Sequence, residues 1–146
     1  MNPRGFASIG LFNPKNRLNY GGVLRAAGCY GAAMIAMQGH RFKRESSDTL
    51  EAWKHIPTII TDDLFSVIPY DTVPVAIEFI QTAKPITKFS HPERAFYIFG
   101  PEDGSVSKGI IERCKEVIYI PTSHCMNLAA TVNVVLYDRL VKRGST

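Results

Sequence analysis

The chain repeats one local grammar three times: an apolar, strand-like run, a turn rich in glycine and polar residues, and a helix-like stretch. It occurs in LFNPKNRLNYGGVLRAAG (Leu11 to Gly28), in FYIFGPEDGSVSKGII (Phe96 to Ile111) and in YIPTSHCMNLAATVNVVLYDRL (Tyr119 to Leu140). Short apolar runs without polar alternation belong to strands buried on both faces. Strands of that kind alternating with helices define an α/β domain with a mostly parallel sheet flanked by helices. Ligands collect beyond the carboxyl ends of such strands, which is where all three turns fall, so one composite site is expected.

Phe6 to Phe12, Ala32 to Met37, Ile56 to Thr61, Val73 to Ile77, Ala95 to Phe99 and Val117 to Ile120 read as the strands. Asn13 to Asn19 reads as a turn-rich loop. From Tyr20 onward Val23, Leu24, Ala26, Ala27 and Tyr30 share one helical face, with Gly28 and Gly31 marking its end and the next turn. Ser47 or Asp48 can cap a short helix through Trp53, and Asp62 or Asp63 a helical turn. Thr82 to Pro92 carries two prolines and reads as loop or short irregular helix. The chain has 146 residues, 45% of them hydrophobic, enough for one well-cored domain over residues 1–146 and too few for two.

No apolar run approaches the roughly 20 residues of a membrane helix, and the N-terminus lacks the order of a signal peptide, so a cytoplasmic protein is expected. Cys29, Cys114 and Cys125 are widely spaced, which supports neither a disulfide framework nor a zinc site. His40, His55 and His91 lack metal-ligand spacing and read as surface residues. The net charge of +4 is compatible with an anionic partner without requiring one.

The first turn sets Asn19, Gly21, Gly22 and Arg25 at the start of a helix, where free N–H groups and the positive end of the dipole attract anions. The glycines equally well serve close helix packing. In the second turn, Gly100 to Gly104, Glu102 can orient a ligand hydroxyl or the Arg25 side chain, and Ser105 or Ser107 can cap the following helix. The third turn, Thr122 to Asn127, contains Ser123, His124 and Cys125. A hydrolase built on Ser123 or Cys125 would use them, although no GxSxG elbow is present. The helix after Asn127 is apolar nearly all round, which calls for a homodimer or for a central place in a monomer core.

In combination these segments resemble the three signature motifs of the SpoU/TrmH branch of the SPOUT RNA methyltransferases. NYGGVLRAAGCYGA is similar to the first, FGPEDG to the second and IPTSHCMNLAATVNVVLYD to the third, in the family's order and across nearly the whole chain. The resemblance implies an α/β domain with a C-terminal deep trefoil knot, a feature general folding rules would not propose. It also implies a homodimer, S-adenosyl-L-methionine as methyl donor, and RNA as acceptor. No metal and no membrane are called for. The minimal members it most resembles methylate the 2′-hydroxyl of the tRNA wobble nucleotide; rRNA methylation and a non-catalytic RNA-binding module are the alternatives.

Carried over by motif, Arg25 is the catalytic arginine beside the ribose and Asn19 its companion. Phe99, Gly100, Glu102, Gly104, Ile120, Met126, Asn127 and Leu128 line or shape the donor pocket. Arg25 would either deprotonate in a strongly perturbed setting or clamp a phosphate, since guanidinium otherwise keeps its proton. Lys15, Arg17, Arg41, Lys43 and Arg44 would contact the RNA backbone, with Tyr20 or Phe42 stacking on bases. The sequence departs from the family pattern at Gly22, where many minimal members have Asn; at Gly104, two rather than three residues after Glu102; and at Cys125, in place of the usual Ser.

Overall fold

The computed structural model describes residues 4–15, 17–39 and 56–144, and among these one parallel sheet organises everything else. Its strands are β1 (Phe6–Phe12), β2 (Ile35–Gln38), β3 (Thr58–Thr61), β4 (Val73–Ile77), β5 (Lys84–Pro85), β6 (Arg94–Phe99) and β7 (Glu116–Tyr119). They lie in the order β3-β2-β1-β6-β4-β7-β5, and each recorded pairing is parallel. Helix α1 (Arg17–Tyr30) follows β1, α2 (Lys108–Arg113) precedes β7, and α3 (Leu128–Arg143) closes the described chain.

Side chains alternate across the sheet and divide the core in two. Ile9, Leu11, Val75, Tyr97, Phe99 and Ile118 pack on one face with Val23 and Ala27 of α1 and Val132 and Val135 of α3. Ala36, Phe96 and Ile98 point the other way, onto Leu64 of a short 3-10 turn (Leu64–Val67), Val106, and Ile110 of α2. Gly10 is a requirement of that second face: a Cβ there would stand 2.5 Å from the ring of Phe96 on the neighbouring strand. The expected α/β class and parallel sheet are therefore observed.

Some boundaries differ, each for a physical reason. Helix α1 begins at Arg17 rather than Tyr20, and Gly28 lies inside it. Gly31 takes φ of +67°, the left-handed conformation that ends helices, and Ala32 N–H donates back to the Ala27 carbonyl. Ala32 and Ala33 thus close the helix, and β2 starts only at Ile35. In the Thr82 to Pro92 stretch the expected short irregular helix is present as a 3-10 turn at Ile86–Lys88, but the two-residue strand β5 before it, half proline, has no periodicity to betray it. Asp63, Ser107 and Asn127 cap as such residues should. The helix expected to run through Trp53 lies outside the described residues.

His91 is not a surface residue. It is 5% exposed, and its imidazole lies between the Tyr97 hydroxyl (2.6 Å from Nδ1) and the Asp138 carboxylate (2.7 Å from Nε2). Arg139 completes this cluster, donating to the Tyr97 hydroxyl and to the carbonyls of Phe6, Pro92 and Glu93 at 2.7–3.2 Å. The C-terminal helix is thereby fastened to the starting edge of β1 and β6. Burial pushes the His91 imidazole below its ordinary value, against the pull of Asp138, and raises the Tyr97 phenol. The proton arrangement that satisfies all partners is a neutral imidazole, with Nε2–H donating to Asp138 and Nδ1 accepting from Tyr97.

Two outcomes follow for stability. Unfolded chain takes up the His91 proton near 6.5 and folded chain below that, so this contribution is full above pH 6.5 and is lost as pH falls toward the folded value. Thermal melts between pH 8 and 5 should show that loss, with a shallower acid limb in His91→Asn. Arg139→Met removes one donor from each of the Phe6, Pro92 and Glu93 carbonyls and from the Tyr97 hydroxyl, and should cost about 3 kcal/mol in urea unfolding.

Candidate active site

The ends of β1, β6 and β7 share one edge of the sheet, and the three polar turns leave from there. The first two turns are bound together by one carboxylate. Glu102 accepts the Lys15 backbone N–H at 3.0 Å and the Asn19 amide at 3.3 Å, while Lys15 Nζ lies 3.7 Å from Asp103. Helix α1 has no acidic residue in its own first turn. Glu102, distant in sequence, supplies the negative charge that a helix N-terminus favours. This long-range contact is the reason α1 can start as early as Arg17, which local sequence could not reveal.

The second turn closes tightly on itself. A Cβ on Gly100 would stand 2.8 Å from the Val106 backbone nitrogen, so only glycine lets the chain return at that point. The Val106 N–H donates to Glu78 at 2.8 Å, tying the turn to the end of β4. In the third segment Thr122 donates its hydroxyl to the His124 carbonyl at 2.7 Å, and Asn127 caps α3 by accepting from Ala130 N–H at 2.8 Å.

The second and third turns, with the end of β4 and the start of α3, enclose a cleft lined by Ile77, Glu78, Phe99, Gly100, Pro101, Glu102, Gly104, Cys125, Met126, Leu128 and Thr131. Six expected donor-site residues are among them: Phe99, Gly100, Glu102, Gly104, Met126 and Leu128. Ile120 lies instead in an adjoining depression with Phe79, Tyr119 and the 121–125 loop. The Asn127 side chain is committed to its cap. Ile77, Glu78 and Thr131 were not anticipated. The rule of strand carboxyl ends could have found the first two, because β4 lies next to β6, but that adjacency is not readable from chain order.

Gly22 is explained by packing. Its Cβ would stand 2.6 Å from the Ala129 Cβ, so the glycine lets α1 rest directly on the first turn of α3. Arg25 follows one turn later, beside that seam. It is exposed and makes no hydrogen bond or ion pair among the described residues. Because α1 starts early, Arg25 lies just over two turns in. Tyr20 is 3% exposed and belongs to the core, which rules out the stacking role expected of it. Lys15 is exposed at the rim, and Arg17 opens α1. Arg41, Phe42, Lys43 and Arg44 lie outside the described residues.

Among the described residues no three His, Cys, Asp or Glu side chains gather as a metal site, and no helix is long and apolar enough to cross a membrane. Ser123 and His124 are exposed and share no hydrogen bond among the described residues, so the hydrolase alternative has no assembled pair.

The model of the SpoU rRNA Methylase family matches residues 7–137, which spans all three turns and the sheet between them. The chain belongs to that family. Comparison with curated proteins finds no match. Among solved structures, the TrmH/SpoU tRNA modifying enzyme of A. aeolicus superposes with a TM-score of 0.82 at 16% identity, over 97% of this chain and 77% of the other. A structure concerned with 2-OH methylation of C/U34 on tRNA gives 0.81 at 20% identity, over 94% and 96%. The AdoMet-bound rRNA methyltransferase of Sinorhizobium meliloti gives 0.81 at 18%, over 97% of this chain and 58% of its own. The expected fold class is thus that of known SpoU-type proteins.

The Gly22 contact yields a compensation test. Gly22→Ala should cost about 1–3 kcal/mol in urea unfolding, despite the better helix propensity of alanine, because α1 and α3 must separate. Adding Ala129→Gly removes the clash, and the double variant should recover most of that loss.

Proposed function

We propose that the protein is an S-adenosylmethionine-dependent RNA 2′-O-ribose methyltransferase acting on tRNA. The observation that carries this reading is the Glu102 brace, which sets Asn19 of the first turn against the wall of the cleft bounded by Gly100, Met126 and Leu128. The cleft suits the donor: apolar walls from Ile77, Phe99 and Leu128 for a nucleoside, carboxylates from Glu78 and Glu102, and no basic side chain among the described lining residues. S-adenosylmethionine supplies an electrophilic methyl carbon on a sulfonium, so the protein's task is largely to hold a ribose hydroxyl in line with it.

Arg25 holds the acceptor. Its free, solvated guanidinium favours the clamp over the base, since a group that keeps its proton binds phosphate readily and abstracts protons poorly. Lys15 at the rim, with Arg17, Arg41, Lys43 and Arg44, supplies further phosphate contacts that position the strand without reading its sequence. The Cys125 thiol lines the donor cleft where the family pattern has a hydroxyl.

Choice of tRNA is supported by the C/U34 methylation structure, which matches this chain over nearly all of both molecules. The family description names rRNA, so rRNA is the second substrate to assay. We read the protein as a cytoplasmic homodimer with the family's trefoil knot. The half-exposed Tyr137, Leu140 and Val141 on α3 present an apolar surface suited to a second copy.

Tritiated donor incubated separately with total tRNA and rRNA, followed by mass mapping of methylated nucleosides, tests the reading. A 2′-O-methyl mark in tRNA is expected. Arg25→Ala should lower its rate on the order of a hundredfold while leaving donor affinity in place. Donor binding without incorporation into either RNA would make the protein a binding module, and no calorimetric affinity for the donor would end the proposal.

A further inference from the structure

The two carboxylates of the cleft differ in their surroundings. Glu102 lies at the positive end of α1, accepts from Lys15 and Asn19, and has the Lys15–Asp103 ion pair beside it. Its charge is locally answered. Glu78 is half-buried at the end of β4 and takes only backbone amides, Val106 N–H at 2.8 Å and its neighbour Phe79 N–H at 3.3 Å. No cation pairs with Glu78 among the described residues, and none of the residues lining the cleft is basic. Among the described residues, then, nothing neutralises the negative charge that Glu78 gives the cleft. Its backbone partners also fix where that charge sits, because Val106 is anchored in the second core cluster with Phe96 and Ile98.

We propose that Glu78 makes the cleft select the charged methyl donor over its neutral product. The inference rests on the methyltransferase reading above. In the transfer the S–CH3 bond breaks as an O–CH3 bond forms, sulfur keeps the electron pair, and the hydroxyl proton leaves to solvent. The donor's sulfonium becomes an uncharged thioether. Donor and product share their adenosine, ammonium and carboxylate, so a fixed charge in the cleft can tell them apart only through the charge on sulfur. Attraction between unit charges is several times stronger at a partly buried site than in bulk water. Glu78 thus holds the donor before transfer and loses its grip on the ligand afterward, favouring exchange of product for fresh donor.

Calorimetry or equilibrium dialysis with S-adenosylmethionine and S-adenosylhomocysteine tests this on the folded protein without turnover. Glu78→Gln retains an oxygen to accept from Val106 N–H and removes the charge. It should lower the donor-to-product affinity ratio on the order of tenfold, entirely through the donor, with product affinity unchanged. Glu78→Asp keeps the charge on a shorter arm, so any loss falls on both affinities together and the ratio should stay within about twofold of the parent. A donor analogue bearing an amine in place of the sulfonium should follow the donor in both variants. Parallel weakening of donor and product in Glu78→Gln would show that the residue only braces the loop, and an unchanged ratio would likewise overturn the proposal. Failure of the parent protein to bind either nucleoside is a separate outcome, which removes the methyltransferase reading itself.

Discussion

Parallel pairing is the constraint on which the rest of this structure depends. A parallel strand can be followed by its neighbour only after the chain has crossed back over the sheet, so both faces must be covered and every strand ends on the same edge. Here α1 and α3 cover one face, α2 and the Leu64–Val67 turn the other. The ends of β1, β4, β6 and β7 then converge although their segments are scattered through the sequence. A site assembled this way needs no long loop of its own. It needs short connections held at fixed distances.

Carboxylates provide that fixing. Glu102 joins the second turn to the first, and Glu78 joins the end of β4 to the second turn, each by accepting backbone or amide N–H groups. Hydrogen bonds to charged acceptors are roughly twice as strong as neutral ones, which suits connections that must hold an irregular backbone in place. The same groups face the cleft, so scaffold and binding surface are not separate there. The two helices beside the site meet at Gly22 and Ala129 with only the Ala129 methyl between them, and Arg25, one turn on, stays exposed.

Much of this was legible in the sequence, and the exceptions have a common cause. The apolar runs at Phe6 and Val73 delimit β1 and β4 as observed, because burial on both faces leaves an uninterrupted hydrophobic stretch. The caps at Asp63 and Ser107 were equally readable, being demands of local backbone geometry; Asn127, expected in the donor pocket, caps α3 instead. What escaped depends on contacts across the chain. Tyr20 follows the first turn in a position that looks open, yet it packs into the core, and His91 in a polar, proline-flanked stretch is enclosed by residues of α3. Glu78 reads as an ordinary polar residue after a strand. Its place in the cleft depends on β4 inserting between β6 and β7, an order that chain sequence does not state.

The Arg139 cluster has a bearing on how the polypeptide matures as it leaves the ribosome. Carbonyl groups from Phe6, Pro92 and Glu93 receive their donor from a residue translated long after them. Domains generally fold as units during synthesis, beginning from the N-terminal side. In this one β1 remains incompletely satisfied until α3 emerges and docks, so completion of the core waits on a segment far downstream of the strand it fastens.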